Sequence, residues 1–293
     1  MKPAPFEYYA PVTLEEAVGL AAEYGDDGKL LAGGQSLIPV MNFRLAQPTV
    51  LIDLNGIEAL QRWRVDDDNG QLHLGGMVRQ AMVEKEAAIG RVVPMVQGAM
   101  PYVAHSQIRN RGTVGGSLAH ADPAGELPVL AVARQARFKL EKVGGARWVE
   151  AEAFYQGLFE TALDADEILT EVVFEPLAQT GVGTSFHEFA RRHGDYALAG
   201  VAVVLYGENG VCRAARLVYL NVGDVPMVAR GAAEMLIGNA LSDELIEAAA
   251  RFAADNEIDP TGDVHGSAAY RRHLAFVLGK RAIKEAWGKI ANG

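Results

Sequence analysis

Apolar residues recur at helical spacing over Leu14, Ala17, Val18, Ala21 and Ala22, directly after Thr13-Leu14-Glu15-Glu16 and before Gly25. Thr followed three residues later by Glu is the pattern of a capping box, and the glycine is a stop signal, so a first helix is predicted here. Lys29 to Ala32 then reads as a short strand running into Gly33-Gly34. Ser36 to Met41 reads as the start of a short helix, in which Pro39 is acceptable only in the first turn. Thr49 to Leu54 is a strand and Asn55-Gly56 a turn. Gln61 to Val65 and Gln71 to Leu74 form a hairpin around the acidic tip Asp66-Asp67-Asp68-Asn69-Gly70. Helical patterns cover most of Arg79 to Val103, broken at Pro94, and again Pro123 to Ala133. Arg137 to Glu141 alternates like a strand, and Glu167 to Phe174 is a strand ended by Pro176.

Past this point the pattern changes. Tyr196 to Tyr206 and Val211 to Leu220 are long β-rich runs joined by Gly207-Glu208-Asn209-Gly210, and helical patterns follow near Ala229 to Leu236, Asp243 to Ala254 and Ala268 to Ile290. Strands followed by helices predict a separate α+β unit, with the boundary at Ala178-Gln179-Thr180-Gly181, so that residues 1–178 and 179–293 form two domains.

Two glycine-bearing loops stand about eighty residues apart: Ala32-Gly33-Gly34-Gln35-Ser36 and Thr113-Val114-Gly115-Gly116-Ser117. A Gly-Gly pair lets backbone N–H groups approach an anion, and the following Ser adds a hydroxyl, so each loop could form a phosphate-binding nest and the pair could grip a diphosphate from two sides. Either pair alone is more often a tight turn than a ligand site. The first loop follows a strand and opens a helix, but the Gly-x-Gly-x-x-Gly spacing of a classical dinucleotide turn is missing.

Composition narrows the chemistry. The 293 residues are 49% hydrophobic and 22% charged, with a formal charge of −10 and no Lys/Arg-rich run, which argues against nucleic acid or an anionic membrane as partner. In so acidic a chain, bound phosphate is expected to be held mainly by backbone dipoles. No run is long enough to span a bilayer and the start lacks a signal-peptide core, so a cytoplasmic location is expected. Cys212 is the lone cysteine, which excludes an internal disulfide and any cysteine-ligated zinc or iron–sulfur site. The seven histidines show no metal-binding spacing, and neither a Gly-x-Ser-x-Gly elbow nor a P-loop occurs. No catalytic nucleophile and no metal ligand is assigned.

The order Leu31-Ala32-Gly33-Gly34-Gln35-Ser36-Leu37-Ile38, then Ile108-Arg109-Asn110-Arg111-Gly112-Thr113-Val114-Gly115-Gly116-Ser117, then Arg191-Arg192-His193-Gly194-Asp195-Tyr196-Ala197, resembles the FAD-binding medium subunits of molybdenum hydroxylases over essentially the whole chain. The resemblance implies a vanillyl-alcohol-oxidase (PCMH)-type FAD-binding domain of two lobes, about 1–56 and 57–178, followed by a C-terminal α+β domain with an antiparallel sheet. It implies that both glycine loops clasp the pyrophosphate of FAD. Glu126, nine positions after Ser117, would accept from a ribose hydroxyl, with Asp122 as the substitute; a solvated carboxylate near a helix start is the other reading. Ala104 matches a position lying along the flavin and Leu169 one packing beside its ring system, though each reads equally as core. His187 falls where some relatives carry Lys close to the flavin, a departure from their pattern, and a polar strand residue is the plain alternative. Tyr196 would sit near the isoalloxazine and gate the electron acceptor; an aromatic core residue is the competing account. Gln35 replaces a His found in some relatives and keeps a hydrogen-bonding side chain.

The family's chemistry runs from a molybdenum cofactor through 2Fe-2S clusters to flavin and an external acceptor. With one cysteine this chain cannot ligate those clusters, so the resemblance implies a small iron–sulfur subunit and a large molybdopterin subunit as partners, plausibly in a dimer of heterotrimers. The activity implied is that of a flavoprotein oxidoreductase subunit, in which the cofactor carries the reaction. A self-sufficient flavin oxidoreductase of the same fold would need an acid/base in the C-terminal domain, and no convincing one is visible; a non-redox scaffold or binding protein would purify colourless.

Overall fold

The computed structural model describes residues 2–178 and 180–291; Gln179, within the expected domain boundary, lies outside the described residues, as do Met1, Asn292 and Gly293. The fold is α+β. An N-terminal parallel sheet places Val50–Asp53 between Glu7–Tyr9 and Gly28–Leu31. Helix Leu14–Tyr24 packs Ala17 and Val18 into one core with Val50, Ile52 and Leu54. Its ends follow the sequence: Thr13 Oγ1 accepts from Glu16 N at 3.2 Å, and Gly25 turns the chain away at φ 47°. Glu16 departs from the capping box by accepting from Val12 N, 3.1 Å, one residue before the cap.

The middle lobe is built on a five-stranded antiparallel sheet in the order Trp63–Val65, Leu72–Gly75, Ile168–Phe174, Arg137–Lys142 and Gly145–Glu150. The central strand Ile168–Phe174 is buried at all but one position, Glu171, and its sequence is apolar apart from Thr170 and Glu171. Gly145–Glu150 lies at the edge and is mostly exposed, so no apolar alternation announces it. The helical stretch after Arg79 divides into Gln80–Lys85, Ala87–Val92 and Pro94–Ala99. Pro94 opens the third helix, where its missing N–H costs nothing, so the proline both ends one helix and starts the next. The helix expected from Pro123 begins only at Glu126.

The C-terminal sheet runs Val182–Phe189, Ala199–Glu208, Val211–Leu220 and Met227–Val228, all antiparallel. It separates two cores. Val201, Val203 and Leu205 face helices Arg230–Leu236, Asp243–Asn256 and Ala268–Ala291, while Ala202 and Val204 join the middle lobe's core with Val218 and Leu220. Residues 199–205 are therefore buried on both faces and read as one apolar run. The strand expected to begin at Tyr196 starts at Ala199, because the preceding residues form a loop closed by Leu198 N donating to Phe189 O at 2.7 Å.

Candidate functional site

Strand Gly28–Leu31 delivers the chain to the first glycine loop, and helix Leu37–Asn42 carries it away. Leu37 turns inward with Leu31 and Met41. Gly34 sits at φ 72°, the left-handed region that side chains disfavour. Gly33 is required for a different reason: a Cβ there would lie 2.5 Å from Arg111 O and 2.7 Å from Gly112 Cα. The N–H groups of Gly33, Gly34, Gln35 and Ser36 have no acceptor among the described residues. Gln35 Nε2 donates to Gly33 O at 3.0 Å, and Ser36, although it precedes the helix, does not cap it through its hydroxyl. Gly33, Gly34 and Gln35 border a cavity of 330 Å³ lined also by Ile38, Asp53, Asn55 and Arg111.

The second loop is built differently. Thr113 caps helix Val114–His120 by accepting from Gly116 N at 3.0 Å, and Ser117 N donates to Thr113 O at 3.2 Å. Val114 N donates to Val78 O and Gly115 N to Gly76 O, each at 2.9 Å, so the loop's amides are spent inside the protein. Its glycines serve close packing: a Cβ on Gly115 would come within 2.6 Å of Gly76 O, and one on Gly116 within 3.0 Å of Ala32 Cβ. The two loops are therefore in direct contact. Leu169 lies one layer behind, with its carbonyl against Gly76 and its side chain in the core.

Two residues without a motif stitch the loops together. Arg79 donates to Arg111 O and, at 2.6 Å, to Asn55 Oδ1, while Asn55 Nδ2 donates to Ala32 O at 2.8 Å. The turn signal at Asn55-Gly56 marks the place but not the role.

The third motif joins the segment that precedes the second loop. Ala104 adopts φ 45°, and Arg109 holds this bend: Nη1 donates to Val103 O at 2.9 Å and Ala104 O at 3.3 Å, while Nε and Nη2 form a two-pronged pair with Glu84 at 2.8 and 2.9 Å. Next to it, the His105 ring stacks on His193 with centroids 6.4 Å apart, and Gly194 packs against the same ring.

Carboxyl groups collect where the two domains meet. Glu126 opens helix Glu126–Ala133 and is 8% exposed; burial, with a smaller contribution from Asp122, pushes its carboxyl up to about 7. Glu188 shares its strand face with Phe186, which packs on Tyr102 and the middle lobe. Its Oε2 is buried without a partner among the described residues, and burial followed by the Glu126 charge pushes it up to about 8. Asp122 spends Oδ1 on Ala124 N at 2.9 Å. Tyr196 leaves 66% of its surface exposed, and its phenol is raised by loss of hydration and then by the Asp122 and Glu126 charges. His187 lies on the opposite strand face, with Nε2 2.7 Å from Glu285 on helix Ala268–Ala291, next to Ser185, which donates to Ala282 O. Glu188, not His187, lies on the strand face toward Glu126; the alternation with Phe186 is the signal that identifies it.

Both raised carboxyls make the flavin-free chain lose stability as pH rises through the weakly acid and neutral range. Each holds a proton in the folded state that the unfolded chain releases above about 4.5, so stability falls as pH rises from there through about 7 and 8, by at most about 1.4 kcal/mol per pH unit per carboxyl. Glu84 and Glu167, held low by Arg109 and Arg147, act with the opposite sign and only in more acid solution. Thermal unfolding is expected to show a midpoint that drops across the higher window, and Glu126→Gln with Glu188→Gln should flatten it. A profile that the double substitution leaves unchanged contradicts this assignment.

Among the described residues no group of three or more His, Cys, Asp or Glu side chains could hold a metal ion, and no helix is long and apolar enough to cross a membrane. The model of the FAD binding domain in molybdopterin dehydrogenase matches residues 4–176, and that of the CO dehydrogenase flavoprotein C-terminal domain matches residues 184–286. The chain is 41% identical to the nicotine 6-hydroxylase medium subunit of Paenarthrobacter nicotinovorans, covering 98% of this chain and 99% of that one. It is 36% identical to the carbon monoxide dehydrogenase medium chain of Hydrogenophaga pseudoflava, covering 99% and 100%. A solved carbon monoxide dehydrogenase structure from the same organism superposes with a TM-score of 0.95, covering 99% of both chains at 36% identity. Quinoline 2-oxidoreductase from Pseudomonas putida 86 superposes at 0.93, with 35% identity and 99% of both chains covered. Two domain models in tandem and end-to-end likeness to medium chains establish that this chain belongs to the FAD-binding medium subunits of molybdenum hydroxylases, as a flavoprotein oxidoreductase subunit.

Proposed function

We propose that this chain is the electron-transfer subunit of a heteromeric molybdenum hydroxylase, receiving electrons from iron–sulfur clusters in a small partner, passing them to an external acceptor, and assembling with a large molybdopterin subunit. The observation that carries the reading is the row of free N–H donors from Gly33 to Ser36, on a loop packed against Thr113–Ser117, whose helix is followed by the one that the buried Glu126 opens. FAD supplies one- and two-electron exchange when bound. The first loop donates to its diphosphate, and Thr113, Gly116 and Ser117 form the wall that brings the cofactor close. Glu126, buried and bonded to no other side chain among the described residues, takes a sugar hydroxyl, with Asp122 beside it. The bend at Ala104 and the exposed Tyr196 border the flavin end, while Leu169 backs the site from the core. His187 stays outside the set because Glu285 engages it on the far strand face.

The partner reading rests on the buried, lone Cys212 together with relatives that carry subunit names, such as caffeine dehydrogenase subunit beta of a Pseudomonas strain. It is tested by the visible spectrum of the purified full chain, mass spectrometry of the released nucleotide, and co-purification from the native host. Bound FAD, with one larger and one smaller chain carrying molybdenum and iron, is expected. A chain that neither carries nor takes up FAD, or a fully active single-chain enzyme, overturns the reading.

A further inference from the structure

The expectation that an acidic chain leaves a diphosphate to backbone dipoles is incomplete at the first cavity. Arg111 lines that cavity with Gly33, Gly34, Gln35, Asp53 and Asn55. Its side chain is exposed and forms no hydrogen bond or ion pair among the described residues. Arg79 stands close enough for the Arg111 charge to act on it: burial first, then Arg111, lower the Arg79 pKa, with Asp53 opposing. Arg79 spends its guanidinium on two neutral acceptors, Arg111 O and Asn55 Oδ1. Asp53 is engaged by the Tyr8 hydroxyl at 2.6 Å and by Asn55, which donates to it from both N and Nδ2. The cavity thus gathers one cation, one anion and three backbone donors without acceptors, with Arg79 as a second cation beside it. Two like charges beside unpaired N–H groups favour an anion with several oxygens.

We propose that Arg111 is a direct ligand of the cofactor's diphosphate, closing over the anion from the side opposite the Gly33–Ser36 amides. This rests on the FAD reading and adds a side-chain cation to a site that the motifs assign to glycines. The local charge, not the chain's total of −10, governs phosphate binding here. Because the Arg111 side chain makes no internal bond, its substitution leaves the loop packing intact, whereas Arg79 cannot be removed without parting the loops.

The full chain, freed of flavin, is titrated with FAD and with riboflavin, which lacks the phosphates. Arg111→Gln is expected to raise the Kd for FAD about 10- to 100-fold, the worth of one hydrogen bond to a charged group, and to leave that for riboflavin unchanged. Arg111→Lys should recover part of the loss, and the gap between wild type and Arg111→Gln should narrow at high salt. Inorganic diphosphate should raise the melting temperature of the wild type but not of Arg111→Gln. Unchanged FAD affinity in Arg111→Gln, or equal losses for FAD and riboflavin, overturns the proposal. Should Arg111→Gln fail to fold, the wild type decides: FAD affinity insensitive to salt overturns it, and affinity falling with salt supports it. A wild type stabilised by diphosphate through Arg111 but unable to bind FAD would keep the anion site while refuting the flavin reading.

Discussion

Truncating Arg109 to alanine is expected to destabilise the chain by about 3–5 kcal/mol, the range for removing one partner of a buried ion pair. The guanidinium is 6% exposed and satisfies both oxygens of Glu84 and the carbonyls of Val103 and Ala104. Its removal leaves a half-buried carboxylate and two carbonyls without a donor, and frees a non-glycine residue from a left-handed conformation that side chains disfavour. The loss should exceed that of Arg109→Lys, which keeps the charge but not the planar fork. Denaturant unfolding of the two variants and of Glu84→Gln measures this, and a change below about 1 kcal/mol for the alanine variant would show that the pair is solvated rather than buried. Because the bend at Ala104 leads directly to the His105–His193 stack, flavin content should fall with stability in Arg109→Ala.

The elements set by neighbouring residues are the ones readable from sequence. Thr13, Gly25 and the apolar stripe between them define a helix without reference to the rest of the chain, and the strand, glycine pair and helix around Gly33 do the same. Besides most of the strands of two or three residues, which are too short to show a period, the strands that escape notice are Gly145–Glu150 at an exposed edge and Val182–Phe189 between two unlike layers. For the same reason His187 and Glu188 are not separable by type. Which of them lies on the face toward Glu126 depends on the register with Ala199–Glu208, a pairing made across the chain. The two glycine loops look alike in sequence, yet one offers free amides and the other spends its own on Gly76, Val78 and Thr113. A bulky substitution at Gly115 would therefore report on contact with Gly76 before it reported on phosphate. Arg79 and Asn55 carry no motif of their own, and Arg111 stands in the second motif with no role assigned to its side chain. Their roles follow from the meeting of segments that are separate in sequence, and total charge conceals the two cations among them.

Gly33→Ala is expected to reduce bound flavin at least tenfold, with a stability loss of about 1–3 kcal/mol typical of overpacking. The added methyl would meet Arg111 O at 2.5 Å and Gly112 Cα at 2.7 Å, and both are backbone atoms that no rotamer change can move. The loops must then separate. Separation pulls on the bond from Asn55 to Ala32 and on Arg79, and it turns the Gly33–Ser36 amides away from the wall formed by Thr113–Ser117. Gly34→Ala provides the contrast: its methyl would press on Ile38 Cγ1 at 3.1 Å and Leu31 Cδ1 at 3.2 Å, side-chain atoms able to shift, so its main cost is the left-handed conformation, about 1–2 kcal/mol. If the amides bind the diphosphate, Gly33→Ala should lose FAD even where its melting curve remains cooperative, and Gly34→Ala should retain most of it. Flavin content per chain, read from the visible spectrum beside thermal unfolding, separates the two effects, and full occupancy in Gly33→Ala would mean that the close contact of the loops is not what positions the cofactor.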